Sequence, residues 1–339
     1  MRAVFDISRF NPQTDRAPRL QRYEVELPDG ATVLEALIEV QDRHDGSLAF
    51  RRACRHGICG SCAVRINGCA RLACSAQVST MIEQAAAMAA RRRGVSDDQV
   101  EVGSVPVRVE PLGNMPVIKD LVTDTEAFWR KVRRVRPWLD PADPQRDPER
   151  DAERPQKPVE WDKVAEAVLC LECGVCYSEC PALSASPEFI GPTALAKAHR
   201  YTVDNRDVAA HSRLHELSGE HGLWECARCY LCSERCPKHI GVREAITELG
   251  ELAYDEGLRS DPGAKHAGAF VDSLKESGRL NGARLPMKTN GIFWTLSHAA
   301  TVVKIARAGK LPALHATPIE RHDELKRVIA RTEADEDEA

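Results

Sequence analysis

Thirteen cysteines are the residues in this 339-residue chain whose type and spacing could do chemistry. Five lie between Cys54 and Cys74, eight lie between Cys170 and Cys236, and the remaining sequence has none. At about 4% of the chain they fall well short of the 8–10% typical of a disulfide-stapled scaffold. Clustered thiols in a reducing compartment are metal ligands before they are disulfides.

The first group reads Cys54-x4-Cys59-x2-Cys62-x11-Cys74. This is the plant-type spacing for a [2Fe–2S] cluster, with the fourth ligand arriving from a neighbouring strand. A tight loop must turn three thiolates toward two irons. Gly57 and Gly60 permit the close backbone approach and positive φ which that loop tends to need. A four-cysteine zinc site is the rival, but zinc ribbons favour two separated C-x2-C knuckles. Cys69 falls outside the pattern, beside a turn, and is expected to be a small non-ligand.

The other eight cysteines form two runs of the same spacing. One is Cys170-x2-Cys173-x2-Cys176-x3-Cys180-Pro181, and the other is Cys226-x2-Cys229-x2-Cys232-x3-Cys236-Pro237. Each matches the bacterial ferredoxin run, in which the fourth cysteine ligates the other cluster. Cys170, Cys173, Cys176 and Cys236 are therefore expected to hold one [4Fe–4S] cubane. Cys180, Cys226, Cys229 and Cys232 are expected to hold the second. Each proline is expected to end the helical approach to its cysteine.

The elements that must position these groups follow from hydrophobic patterning. Residues 1–113 read as a strand-rich unit: Val4–Ile7 and Tyr23–Leu27 alternate as half-buried strands. Asp29-Gly30 supplies a turn, and Thr32 caps a helix with Val33, Leu34, Leu37 and Ile38 on one face. Ala63–Ile66 is a strand entering a hairpin at Asn67-Gly68. From Met81 to Gly94 an Ala-rich helix ends in Arg91-Arg92-Arg93, read as a solvated surface helix with a basic docking patch as the alternative. Residues 114–158 connect, and from Asp140 to Pro158 five prolines and ten charged residues preclude a helix interior. Residues 159–250 turn helical and carry both ferredoxin runs. Residues 251–339 form a helical extension, expected to fray over its last residues, Glu333–Ala339, which carry five acidic side chains.

Composition sets the remaining bounds. A net charge of −4 argues against an overall cationic nucleic-acid binder, and 43% hydrophobic residues suffice for a core. No apolar run approaches the length of a membrane span, and the opening MRAVFDISRF lacks a signal core, so a cytoplasmic location is expected.

A [2Fe–2S] motif followed by two crossed cubane runs resembles the iron–sulfur subunit of succinate dehydrogenase and fumarate reductase. The resemblance covers residues 1 to about 250. It rests on CRHGICGSC with RLACS, PLGNMPVIKDLVTD, CLECGVCYSECP, FIGPTALAKAHRYTVDNRD and CARCYLCSERCPKHIGVREAI. It implies an α+β chain, with a β-grasp ferredoxin domain before an all-α helical ferredoxin domain. It also implies three clusters relaying electrons between the FAD of a flavoprotein subunit and a quinone-reactive partner at the cytoplasmic face of the inner membrane. No dinucleotide fingerprint occurs here, which is consistent with FAD on another subunit. Plant-type [2Fe–2S] centres sit near about −400 mV, too low for succinate, so hydrogen bonds from the Arg55–Ser61 loop are candidates for raising that value.

Three departures from the family pattern matter. The family commonly lacks a cysteine at the position of Cys229 and then holds [3Fe–4S]. Here four thiolates make [4Fe–4S] the expectation, with [3Fe–4S] the alternative if Cys229 points away. The aromatic and histidine quinone contacts usual after the counterparts of Cys180 and Cys226 are replaced by Ala182–Ser186 and Ala227. The extension is longer than usual, and KHAGAFVDSLKESGRLN and KIARAGKLPAL look like tails of iron–sulfur subunits paired with heterodisulfide-reductase-like, cysteine-rich partners. Within it Ile292, Phe293, Leu296, Ala299, Ala300 and Val303 share a helical face. That face is read as core-facing, as a docking face for a third subunit, or as an interfacial membrane helix. The competing functions are an iron–sulfur subunit of another flavin-dependent or heterodisulfide-type reductase, and a zinc-bound scaffold.

Overall fold

A computed structural model describes residues 1–140, 155–310, 312–313 and 317–337. Most of the Pro-rich stretch after Asp140 lies outside the described residues. The chain divides into two compact units, residues 1–217 with 221–249, and residues 218–220 with 250–339.

The first unit opens on a mixed sheet. Strands β1 (Arg2–Arg9) and β2 (Arg19–Glu26) are antiparallel, and Phe5, Ile7, Tyr23 and Val25 point into the core. Helix α1 (Val33–Glu39) starts at Thr32, whose side chain caps Glu35 N–H while the Glu35 carboxylate returns to Thr32 N–H. It buries Val33, Leu34, Ala36 and Leu37. Strands β3 (Ala63–Ile66) and β4 (Cys69–Leu72) form a hairpin at Asn67-Gly68, with φ of 50° and 81° as a primed turn demands. Helix α2 (Val78–Arg93) ends at Gly94 in the left-handed region. It is not a purely solvated helix: Val78, Met81, Ile82, Ala85, Ala86 and Ala90 are buried, while Ser79, Thr80, Glu83 and the Arg91–Arg93 end are exposed. Strand β5 (Val107–Glu110) runs parallel to β1 and antiparallel to β3, completing the order β2-β1-β5-β3-β4.

A two-stranded ribbon, β6 (Val117–Lys119) and β7 (Val122–Thr123), turns at Asp120 and leads into helix α3 (Glu126–Arg134). Buried Asp120 accepts from Arg9 Nε (3.0 Å), Phe10 N (2.9 Å) and Ala49 N (2.9 Å). Arg9 also donates to Asp45, Tyr23 and Ser47. A buried arginine is tolerable when its donors are satisfied in this way. The network fixes the segment that enters the Cys54 loop.

The helical part contains α4 (Pro158–Val168), α5 (Val175–Ser178), α6 (Pro181–Ala185), α7 (Pro192–Thr202), α8 (Ala210–Leu217), α9 (Leu231–Glu234) and α10 (Val242–Asp255). Helix α7 is central: it touches α3, α4, α5 and α8 and buries Ala194, Leu195, Ala198 and His199. Fully buried Arg213 on α8 makes two hydrogen bonds to Asp207 and donates to Val135 O, holding the end of α3. Helix α5 ends at Ser178, short of Cys180-Pro181, and Pro181 also opens α6 with Cys180 as the cap residue, because proline's missing N–H costs nothing in a first turn.

The second unit holds α11 (Pro262–Ser277), α12 (Leu285–Asn290), α13 (Ile292–Ser297), α14 (Ala299–Arg307) and α15 (His322–Asp337). Asp261 caps α11 through Gly263 N–H (2.7 Å), and Gly278 ends it at φ 71°. The face expected to run from Ile292 to Val303 breaks at His298, and its side chains are exposed rather than core-facing. Helix α15 continues to Asp337, into the acidic segment expected to fray, whose last two residues lie outside the described residues. Among the described residues no helix is long and apolar enough to cross a membrane.

Candidate iron–sulfur centres

The β3–β4 hairpin explains the longest interval in the first cysteine group. Cys62 immediately precedes β3 and Cys74 follows β4, and Ala73 N–H donates to Cys62 O at 3.1 Å. The arms of the hairpin thus bring the two cysteines side by side. Cys54 and Cys59 sit on the preceding loop, where Arg55, Gly57 and Gly60 have φ of 61°, 68° and 71°. These conformations turn N–H groups toward sulfur: His56 N and Cys59 N to Cys54 Sγ (3.4 and 3.3 Å), and Gly57 N to Cys74 Sγ (3.3 Å). The Ser61 hydroxyl lies 3.1 Å from Cys59 Sγ. Backbone N–H donors from His56 and Ile58 pull the Cys54 thiol down to about 6, whereas burial pushes Cys62 up to about 12. Cys69 starts β4 opposite Ile66 on the far end of the hairpin.

The two ferredoxin runs enclose two cavities. Cys170, Cys173, Cys176 and Cys236 line one, with Thr193 and Ile240. Cys180, Cys226, Cys229 and Cys232 line another, with Phe189 and Arg243. The fourth cysteine of each run therefore faces the first three of the other. Both runs use the same backbone device. The residues flanking the second cysteine are left-handed: Glu172 (53°) and Gly174 (78°) around Cys173, and Arg228 (55°) and Tyr230 (64°) around Cys229. Left-handed backbone costs a non-glycine residue roughly 1–2 kcal/mol, a strain that persists where something else over-determines it.

Burial holds these thiols high, Cys173 at about 11, Cys232 at about 12 and Cys176 well above its ordinary value. Bare thiolates are disfavoured there, and a bound metal cluster would compensate them. Among the described residues no three His, Cys, Asp or Glu side chains converge on a single-ion point. Four thiols around a void suit a multi-iron core better than one zinc ion.

Beyond the Gly113-Asn114 pair within PLGNMP, no local pattern indicates how closely the two cluster regions meet. Cβ on Gly60 would lie 2.6 Å from Cys173 Cβ and 3.3 Å from Leu171 O, so the [2Fe–2S] loop rests on the first ferredoxin run. Cβ on Gly174 would lie 2.9 Å from Met115 Cε. Gly113 N donates to Ser178 Oγ (2.8 Å), and Asn114 Nδ2 donates to Tyr177 O (2.8 Å) and Cys180 O (3.0 Å). Glu179 accepts from Ala70 N at 3.1 Å and lies 3.5 Å from Arg65. Thr193 Oγ1 lies 3.1 Å from Cys176 Sγ, and Trp224 beside the second run has a buried indole N–H with no partner among the described residues.

Comparison with known proteins agrees with the geometry. Residues 4–130 match the 2Fe-2S iron-sulfur cluster binding domain family, and residues 166–240 match the 4Fe-4S dicluster domain family. The chain is 38% identical over 260 residues to the fumarate reductase iron-sulfur subunit of Mycobacterium tuberculosis, covering 76% of this chain and 95% of that one. The chain belongs to the iron–sulfur subunit family of fumarate reductase and succinate dehydrogenase. It is an electron-transfer subunit of an oxidoreductase, with [2Fe–2S] and [4Fe–4S] cofactors. The 8-methylmenaquinol:fumarate reductase iron-sulfur subunit of Wolinella succinogenes is 32% identical over 313 residues, 90% of this chain and 91% of that subunit. That is more than the first 250 residues can supply, so the match reaches into the extension. A chain of the Mycobacterium smegmatis Sdh1 complex in the apo form superposes with a TM-score of 0.63 at 27% identity, over 75% of this chain and 96% of that chain.

Proposed function

We propose that this subunit relays electrons between the FAD of a flavoprotein that interconverts succinate and fumarate and a quinone-side partner. The observation that carries the reading is the continuous contact from the [2Fe–2S] loop through Gly60 to Cys173. The five-stranded sheet with α1 is a β-grasp ferredoxin domain, residues 1–113. Residues 114–158 link it to a helical ferredoxin domain, residues 159–250, with the extension beyond.

Cys54, Cys59, Cys62 and Cys74 hold the [2Fe–2S] cluster. Cys170, Cys173, Cys176 and Cys236 hold the first [4Fe–4S], and Cys180, Cys226, Cys229 and Cys232 the second. When bound, the clusters supply one-electron carriers that pass charge without proton chemistry in this chain. The protein orients them through the left-handed loops, and Ser61 and Thr193 are placed to adjust potentials by hydrogen bonding to sulfur.

The flavoprotein docks on the loop from Arg51 to Cys59, where Arg51, Arg52, Arg55, His56 and the apolar Ile58 tip are exposed beside exposed Cys59. The quinone-side partner, a membrane anchor or a cysteine-rich subunit, meets the second run, where Ala227 to Tyr230 are exposed. The complex then sits peripherally at the cytoplasmic face of the membrane.

The test is an assay of the purified complex for succinate–fumarate interconversion with an artificial dye and with quinone. Cys229→Ala should spare the dye-coupled reaction and suppress the quinone-coupled one. Equal loss of both, or no succinate–fumarate activity in the wild-type complex, contradicts the reading.

A further inference from the structure

The C-terminal unit holds a surface that the cluster sites do not use. From Ser277 to Ile319 the sequence contains no aspartate or glutamate, while Arg279, Arg284, Lys288, Lys304, Arg307 and Lys310 place six cations there, in a chain of net charge −4. Arg284 and Lys288 are compensated by Asp272 and Glu276 of α11. Among the described residues Lys304, Arg307 and Lys310 have no acidic partner.

The same stretch is apolar and uncovered. Every described side chain from 291 to 310 is exposed, including Phe293 at 85%, Leu296 at 65% and Ile292 at 58%. Trp294 stacks on His298 at 4.0 Å and is itself 43% exposed. On α14, at 100° per residue, Val302, Val303, Ile305 and Ala306 fall on one arc and Lys304 and Arg307 outside it. Helices of six and nine residues cannot span a bilayer, but they can lie in its interface.

We infer that the α13–α14 segment is an interfacial anchor that seats directly on an anionic phospholipid surface. Charge decides the occupant. The core of a protein interface is depleted of lysine, whereas this face joins Trp, Phe, Ile and Leu to cations of one sign over a stretch without a single acid. That combination, carried by the segment as a whole, matches anionic headgroups above an acyl boundary. Phe293 and Leu296 of α13 enter the boundary, and Lys304, Arg307 and Lys310, in and after α14, meet the headgroups. The inference does not depend on the cluster ligands.

Flotation of the intact, cluster-loaded chain tests it. The vesicles are phosphatidylcholine alone, or phosphatidylcholine with phosphatidylglycerol as about a quarter of the lipid. The chain should float with the anionic vesicles and not with the neutral ones. Replacing Lys304→Gln, Arg307→Gln and Lys310→Gln together should weaken binding about a hundredfold, since each basic residue near such a surface is worth about fivefold. Phe293→Ser with Leu296→Ser should weaken it at least about tenfold. Unchanged cluster absorption and melting temperature show that both variants fold. Failure to float with anionic vesicles, equal flotation with neutral ones, or full binding by the charge variant overturns the proposal. So does a wild-type chain that ignores vesicles yet binds a purified partner subunit through these side chains.

Discussion

In the first ferredoxin run the second cysteine is flanked by Glu172 and Gly174; in the second run it is flanked by Arg228 and Tyr230. All four residues are left-handed, so the two loops share one backbone course. Their surroundings differ. Met115 and the Gly60 loop lie over the first run, while Ala227 to Tyr230 of the second are exposed. Glycine is used at 174, where a Cβ would meet Met115 at 2.9 Å, and not at 230, where Tyr230 projects outward. The lesson is that glycine in these loops marks close approach more than conformational freedom. The covered run suits internal electron transfer, and the open run suits a partner.

The crossing of the two runs can be broken most forcefully at their last cysteines. Cys236→Ala should abolish the cluster of the Cys170 run, and Cys180→Ala that of the Cys226 run, read by iron content and low-temperature EPR. Loss of the cluster belonging to the mutated run itself would break the crossed pairing. The [2Fe–2S] signal should survive both, as it should survive Cys69→Ala.

The covered side of the comparison is sharpened at glycine. Gly60→Ala combines a φ of 71° with a 2.6 Å approach to Cys173 Cβ, and should cost about 2–4 kcal/mol in chemical denaturation. Gly57→Ala, at φ 68° with nothing within 4 Å, should cost only about 1 kcal/mol. Equal costs would show that the Gly60 contact is not tight. On the open side, Arg228→Gly relieves a left-handed side chain in an exposed loop, and should raise stability by about 0.5–1 kcal/mol.

The smallest effect expected is on acid stability. Hydrogen bonds from Ser47 and Arg9 hold the Asp45 carboxyl below its ordinary value, and hydrogen bonds and charge from Arg206 outweigh burial to do the same for Asp204. A depressed folded-state pKa contributes stability above the unfolded value of about 3.9, and that contribution is lost as pH falls further. Melting temperature should therefore be flat from neutrality to about pH 4 and decline below it, less steeply in Asp45→Asn. An identical profile in that variant would remove Asp45 from the account.

Local signals were legible in the sequence. The Thr32 cap with Glu35, the Asn67-Gly68 hairpin and the Gly94 helix stop all act within a few residues, and the structure has each of them. The buried face of α2 is hard to see in the sequence because alanine has little hydrophobic weight, yet Ala85, Ala86 and Ala90 are buried, Ala86 and Ala90 in a cluster with Val100. At Pro181 the end of α5 is legible and the start of α6 is not, because proline both stops and starts helices. At the candidate site, cysteine spacing foreshadowed which thiols would share a cavity. The contact between Gly60 and Cys173 joins positions far apart in sequence, and Thr193 reaches Cys176 from another helix, so no local pattern encodes either.

On the proposed ligation, Cys229, in the same register as Cys173, completes a four-thiolate site. EPR of the oxidised, anaerobically prepared protein tests it directly. No three-iron signal should appear in the wild type, and one should appear in Cys229→Ser, because a corner without a thiolate holds its iron only through labile ligands. A three-iron signal at one per chain in the wild-type protein would contradict it.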